Sequence, residues 1–417
     1  MTSLLRRLCS IRKPQPRARR GPLRVMFVIT SMPVGGAETL LVNLLDRLDN
    51  QRAIGEVICL KQAGPLGEQI QDRLRVHTGL LRNKWDVTVL WRLARLLRRR
   101  RADAVITVGA GDKMFWGRLA AWGSGVPVII SALHSTGWPD GVGRLNRMLT
   151  FLTDGFIAVA DSHGEFMQQH LGFPKDRVHV IRNGVDTDRF RPALADQGLR
   201  EGLKVREELG LDDETPLVGI VAALRPEKNH EMFVDVAAAV LRKHGDAHFL
   251  IVGDGPCRET IAQYCKQRGI ADRVHLLGTR HDTPRLVAAL DVFLLCSHNE
   301  ASPVSILEAL AAHVPVVSTN VGSVSESVIE DETGYLVARS DAAAAADKVC
   351  RLLDDDDLNH RLGAAGRQRV LQSGSLQAMV DGYQRLVENL YDQRVLENLG
   401  RRSQDAVRGK LARNPGR

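Results

Sequence analysis

Short runs of consecutive apolar residues alternate with stretches in which apolar positions recur every three or four residues, and the alternation runs twice along the chain. The first series opens with the apolar run from Leu23 to Thr30, turns polar at Ser31, and takes up helical spacing from Thr39 to Leu48. Further apolar runs follow at Glu56–Leu60, Ala104–Val108, Pro127–Leu133 and Gly155–Ala160, with helical stretches between them that include Val87–Arg101 and Phe115–Trp122. A run without polar alternation is what a strand buried on both faces requires. Strands alternating with helices therefore predict a parallel sheet covered on both sides. From Phe190 to Thr215 the chain turns polar, with one helix-like segment at Leu203–Leu209, and a linker is placed there. The second series starts at Pro216–Leu224. It continues with His248–Val252, Val274–Leu277, the run ending at Leu294-Leu295, Pro315–Thr319 and Tyr335–Val337, then a helix over Asp341–Leu353. Two α/β domains result, at residues 22–200 and 201–375. In the tail, residues 376–400, Met379, Tyr383, Leu386 and Leu390 recur at helical spacing.

Composition fits two ordinary cores: 417 residues, 44% hydrophobic and 25% charged. The net charge of +8 is concentrated. Arg6, Arg7, Arg12, Lys13, Arg17, Arg19 and Arg20 make residues 1–21 a basic arm, and Arg98 to Arg101 form a second run. Such surfaces suit anionic lipid or nucleotides, or are simply solvated faces. Aromatic residues are only 5% and no nucleic-acid-binding signature is present, so no nucleic-acid partner is expected. The six cysteines include no Cys-x-x-Cys pair and read as buried thiols of a reducing compartment. The basic start runs into Pro14 and Pro16 instead of an apolar segment, and no apolar run is long enough to span a bilayer. A cytoplasmic protein, soluble or peripheral on the inner leaflet, is the expectation.

The chemistry concentrates from Leu294 to Ala312. A buried strand gives way to Ser297-His298-Asn299-Glu300, then to a helix for which Ser302 reads as the N-cap and Pro303 as the first helical position. The amides of Val304 and Ser305 would then face whatever lies above the strand, and a helix N-terminus is an anion site. Glu300 and Glu308 stand eight positions apart. At helical rise that separation is at most about 12 Å. Two carboxylates thus bracket a phosphate cradle. Elsewhere, Gly35-Gly36 leads from the first strand into a helix, and either opens backbone to a ligand or makes a tight turn. It is not a dinucleotide fingerprint, because Gly-x-Gly-x-x-Gly spacing is absent. His134 follows a strand at its carboxyl end, where open α/β sheets place ligand contacts, or else caps that strand.

The acidic pair with seven residues between, followed by Ala309-Leu310-Ala311 and the strand opening with Pro315, resembles the donor-site signature of retaining glycosyltransferases of the GT-B fold, family 4 (glycosyl transferases group 1). The resemblance covers about Leu23 to Leu390. It implies two Rossmann-like domains facing across a cleft, with the C-terminal helix returning to pack on the first. It also implies that Glu308 binds the ribose of a nucleotide-sugar, that Glu300 contacts the transferred sugar, and that His134 lies near that sugar. Gly35 and Gly36 would lie near the donor diphosphate. Asn183-Gly184-Val185-Asp186 matches the turn that closes the first domain. Lys228 matches the family lysine that neutralises the diphosphate; the usual arginine position is Ala223 here, and Arg225, two residues on, is the candidate replacement. The turns at Gly253 and Gly255 and at Thr279 and Arg280 would flank the base, and the turn at Gly322 would offer amides to the donor sugar.

The implied reaction moves a sugar from a UDP- or GDP-type donor to a saccharide or lipid-linked acceptor with retention, in cell-surface polysaccharide or glycolipid synthesis. No cofactor or metal is expected, because Lys228, Arg225 and the helix at Val304 can take the leaving charge. The basic N-terminal arm would touch an anionic membrane surface. Two rivals use the same donor: a GT-B nucleotide-sugar epimerase and a non-catalytic nucleotide-sugar-binding scaffold. A phosphorylase is disfavoured, as nothing resembles a pyridoxal-phosphate lysine site.

Overall fold

The computed structural model describes residues 14–83, 85–135, 143–192 and 196–412. Residues 1–13 of the expected basic arm lie outside them. The chain divides into two compact units, one made of residues 1–158, 164–181 and 380–417, the other of residues 159–163 and 182–379.

In the first unit seven parallel strands run in the order β3-β2-β1-β4-β5-β6-β7. They are β1 (Leu23–Ile29), β2 (Ala53–Cys59), β3 (Val76–His77), β4 (Ala104–Val108), β5 (Val128–Ala132), β6 (Gly155–Ala158) and β7 (Val178–Val180). β4 and β5 are buried at every position, as their unbroken apolar runs require. The chain reverses direction of travel between β1 and β4. Thr30, just beyond β1, donates its hydroxyl to Asp112 Oδ1 at 3.0 Å, tying the two strand ends at that switch point.

The second unit is a six-stranded parallel sheet in the order β10-β9-β8-β11-β12-β13. Its strands are β8 (Leu217–Val221), β9 (His248–Val252), β10 (Val274–Gly278), β11 (Val292–Leu295), β12 (Val316–Thr319) and β13 (Gly334–Val337). The switch point lies between β8 and β11, whose register pairs Val292 with Val218. One apolar core runs through this sheet and its helices, from Phe233 and Phe249 to Tyr335.

The crossing between units comes earlier than residue 200. Val185 exchanges backbone hydrogen bonds with Gly374 and Leu376, and Phe190 sits in the second unit's core, so the polar stretch after Arg182 already belongs there. The linker is also more regular than expected, with a helix at Asp196–Glu208.

The last helix, Leu376–Ala412, returns to the first unit from Val380 onward and extends past residue 400. Val380, Tyr383, Val387 and Tyr391 are buried. Glu388 accepts from Arg52 at 2.8 Å and pairs with Arg17 at 3.0 Å, and Arg394 meets Asp154. Arg17 belongs to a short helix, Arg17–Arg20, where the arm was expected to continue. The five described cysteines are free thiols, four of them buried. No helix among the described residues is long and apolar enough to cross a membrane.

Candidate active site

Open parallel sheets bind ligands beyond the carboxyl ends of the strands that flank the switch point. In the second unit those strands are β8 and β11, and the loops after them carry Lys228 and Glu300. Lys228 ends the single 3-10 turn Pro226–Lys228 and reaches Glu300 Oε1 at 2.5 Å. The same oxygen accepts the Ser297 hydroxyl at 2.6 Å. Glu300 is only 8% exposed, so its charge rests on these two donors.

The backbone under Glu300 is fixed from the β12 side. Thr319 donates to the Ser297 carbonyl at 2.7 Å, and Ser323 donates to the Ala301 carbonyl. Gly322, at φ 56, packs so tightly there that a Cβ would lie 1.6 Å from the Glu300 carbonyl oxygen. No other residue fits that position. His298 N donates to the Glu227 carbonyl at 2.8 Å and joins the two loops directly.

The helix after β11 runs Val304–Ala311, and Pro303, with extended ψ of 117, is its N-cap. The expected Ser302 cap is therefore displaced by one residue and no side chain caps this end. Proline's ring holds an extended-compatible φ, which lets it stand outside the first turn. Ser302 contributes its carbonyl instead, accepting from Asn183 Nδ2 at 2.9 Å. The amides of Val304 and Ser305 fall in the first turn and have no intrahelical acceptor. The side chain of Glu308, one turn further along, makes no hydrogen bond or ion pair among the described residues. Part of its surface stays open, yet the crowding around its carboxyl pushes its pKa up to about 7, against the pull of Arg189.

Other expected residues are placed differently. Arg225 is exposed and its guanidinium lies 4.0 Å from Glu227. Gly253 was expected to bare backbone for a flat base, but a Cβ there would meet the Ala222 carbonyl at 2.0 Å, at φ 142. The glycine is needed so that β9 can pass the β8 loop; Gly255 meets the Leu224 carbonyl in the same way. Thr279 is exposed beside it, and the Arg280 guanidinium is engaged by Asp282 at 2.6 Å and Glu208 at 3.6 Å, which raises its pKa.

In the first unit Gly35 caps the helix Gly36–Asp46 with extended backbone, at the end of β1. His134 is half-buried, two residues beyond β5. The structure thus places Lys228 after β8, Glu300, Ser302, Val304 and Ser305 after β11, and Gly322 after β12, against the Glu300 backbone.

Sequence reading missed Ser297, which looks like the polar end of a strand. Its position three residues before Glu300 was the available signal. It also missed His230, 3% exposed and next but one to Lys228, whose two ring nitrogens have no partner among the described residues. Burial and the Lys228 charge push its pKa down to about 4, so this imidazole is neutral.

Comparison with known proteins gives a consistent result. The family model for glycosyl transferases group 1 matches residues 203–369, and the model for Glycosyltransferase Family 4 matches residues 34–189. The UDP-Gal:alpha-D-GlcNAc-diphosphoundecaprenol alpha-1,3-galactosyltransferase of Escherichia coli is 28% identical over 79% of this chain and 87% of its own. The GDP-mannose-dependent alpha-(1-6)-phosphatidylinositol monomannoside mannosyltransferase of Mycobacterium tuberculosis is 34% identical, over 47% of this chain and 52% of its own. Among solved structures, Anabaena HepE in complex with UDP and glucose superposes with a TM-score of 0.77 at 19% identity, over 88% of this chain and 99% of that one. Two parallel Rossmann-like sheets, the strand-end constellation and both family matches agree: the chain belongs to the family 4 glycosyltransferases (glycosyl transferases group 1) of the GT-B fold.

Proposed function

We propose that the protein transfers a glycosyl group from a nucleoside-diphosphate sugar, of UDP or GDP type, to a saccharide or lipid-linked acceptor with retention, at the cytoplasmic face in cell-surface polysaccharide or glycolipid synthesis. The observation that carries this reading is the Lys228–Glu300 pair beside the first-turn amides of the helix Val304–Ala311. It combines a cation, oriented dipoles and a held carboxylate in one place.

In this reading the donor diphosphate takes the Lys228 ammonium and the amides of Val304 and Ser305, which stabilise the charge that develops as the sugar–phosphate bond breaks. Glu308 accepts from the ribose hydroxyls. Glu300, steadied by Ser297, orients hydroxyls of the transferred sugar. The bonding pair of the C1–O bond leaves with the phosphate oxygen. The acceptor oxygen bonds to C1 on the same face and its proton passes to that phosphate oxygen, so no protein nucleophile and no metal enter. UDP and GDP are the favoured donors because the E. coli and M. tuberculosis relatives carry those nucleotides in their names and the Anabaena neighbour holds UDP. The acceptor class follows the diphosphoundecaprenol and phosphatidylinositol in the same two names.

A scaffold that binds the nucleotide without turnover is the second reading, favoured by Ala223 where the family arginine stands and by the exposure of Arg225. An epimerase would convert the donor itself. A thermal-shift panel of UDP, GDP, ADP and their sugars identifies the base, since a ligand of the folded state raises the midpoint. Incubation with the labelled donor and acceptor extracts, with the anomeric configuration read by NMR, then separates a retained glycoside from an inverted one, an epimer or no product. Lys228→Ala is expected to stay folded and lose transfer by about a hundredfold or more, the scale of one removed transition-state contact. Normal turnover in that variant would remove Lys228 from the reaction.

A further inference from the structure

Four of the exposed large hydrophobic side chains fall within seven residues of the first unit: Trp85 at 80% exposure, Val87 at 67%, Leu90 at 36% and Trp91 at 63%. They occupy the approach to the helix Val89–Arg100 and its first turn. That helix buries one narrow stripe, Val89, Leu93 and Leu97, against the sheet. Outside that stripe the helix carries Leu90 and Trp91, then Arg95 and Arg99, all exposed, while Arg98 donates to the Gly123 carbonyl at 2.5 Å. The Arg95 guanidinium lies over the Trp91 ring, 5.2 Å from its centre.

The charge of this face is one-sided. Between residues 82 and 101 the only carboxylate is Asp86. It is consumed internally, accepting from the amides of Arg82 at 3.0 Å and Thr88 at 3.2 Å and pairing with Arg92. Arg100 turns inward to Glu56. What points outward is aromatic and aliphatic surface at one end and arginine at the other.

We propose that this face docks the protein on an anionic phospholipid bilayer, the tryptophans entering the headgroup boundary and Arg82, Arg95 and Arg99 pairing with lipid phosphates. Soluble monomers rarely leave so compact an apolar cluster open. Because Leu90 and Trp91 stand at one end of the exposed side and Arg95 and Arg99 further along it, one surface can present apolar rings to the headgroup boundary and guanidiniums to lipid phosphates. The charge selects the partner: an acidic surface with an apolar interior behind it satisfies both halves, whereas a protein groove would have to supply several carboxylates. The face shares no residue with the proposed transfer site, so it is tested independently of the transfer reaction.

The test is co-sedimentation of the full chain with vesicles of phosphatidylcholine alone and of equal parts phosphatidylcholine and phosphatidylglycerol, with tryptophan quenching by brominated lipid as a second readout. Binding to the anionic vesicles only is expected. Trp85→Ser/Trp91→Ser is expected to lower the bound partition by about tenfold and remove most quenching, and Arg95→Gln/Arg99→Gln to lower it several-fold. An unchanged melting temperature in both pairs excludes unfolding. A third variant, Arg6→Gln/Arg7→Gln/Arg12→Gln, is expected to keep most of the binding. Wild-type partition in the tryptophan pair would overturn the proposal. So would a vesicle-free dimer that the tryptophan pair dissolves, which would assign the face to a second copy of the chain, or complete loss of binding in the third variant.

Discussion

At the residue scale the site is a set of charges held in unequal environments. Glu300 is satisfied by Lys228 and Ser297, whereas the Glu308 carboxyl has neither hydrogen bond nor ion pair among the described residues and its pKa rises to about 7. The unfolded chain would ionise Glu308 near 4.5, so the folded state holds the extra proton between the two values and its stability falls as pH rises from 4.5 to 7. Glu308→Gln removes that penalty. At pH 8 it is expected to stabilise the ligand-free protein by about 1–2 kcal/mol, a figure reduced for the part of Glu308 that meets solvent, and to change nothing at pH 4. Denaturant melts at the two pH values check this. Ribose hydroxyls that donate to a carboxylate would lower its pKa, so nucleotide affinity is expected to climb between pH 6 and pH 8 and to lose that slope in Glu308→Gln; a flat profile in the native protein would detach Glu308 from the ribose. The positions of Glu300 and Lys228 were legible because each lies in a short strand-to-helix turn, and that of Glu308 because it lies one turn into the helix that follows, so spacing alone fixes where they fall. Ser297 and the Arg189 charge were not, since their roles depend on side-chain approach or on residues far off in sequence. The Ser302 cap failed by one residue because Pro303 takes extended backbone before the helix begins.

At the element scale the strands were the most readable feature. A strand covered on both faces must be apolar throughout, and β1, β4, β5, β9 and β11 declare themselves that way. The two-residue β3 and the three-residue β7 carry too few positions for any pattern and went unseen. The glycines at 253 and 255 are required by the backbone of a neighbouring loop as well, a contact that no local pattern encodes. The edge of the second sheet holds a feature of its own. Arg273 donates to His248 Nε2 at 3.0 Å, which makes that nitrogen the acceptor and leaves Nδ1–H to donate to His275 Nε2 at 2.8 Å. Both imidazoles are neutral in this chain, and burial lowers both pKa values. A histidine depressed below its unfolded value of about 6.5 gives stability that is complete above that value and lost as pH falls. Protection of the β10 amides, which pairing with β9 provides, is therefore expected to weaken as pH drops from 7 to 5 once the observed rates are divided by the intrinsic rates, which slow over the same range. His275→Gln should flatten the response. Equal protection across that range in the native protein would show that the pair does not titrate within it.

At the scale of the whole molecule the first unit is built from two ends of the chain. Its sheet comes from residues before 182, but its last layer is the helix from Val380 onward, and long-range ion pairs secure the join: Glu388 with Arg52 and Arg17, and Arg394 with buried Asp154. Helical periodicity in the tail made the element legible, while its destination came from the family resemblance, because nothing local says which surface an apolar stripe will cover. Glu388 is 9% exposed at its side chain, with Arg52 at 35% and Arg17 at 39%, so the arginines are well screened and the network is worth about 1 kcal/mol. The two guanidiniums hold the Glu388 pKa below the ordinary carboxylate value. Its contribution is then present at neutral pH and lost as pH falls through the folded value. Glu388→Gln is expected to lower the melting temperature by roughly 2–4 °C at pH 7, with the difference closing as the pH approaches 4 and below. Because the pairs lie wholly within the first unit, a scan that resolves two transitions should move only the one that carries the residue 1–158 signal. A shift of both transitions, or a difference that persists at pH 3, would mean that Glu388 contributes by packing and not by its charge.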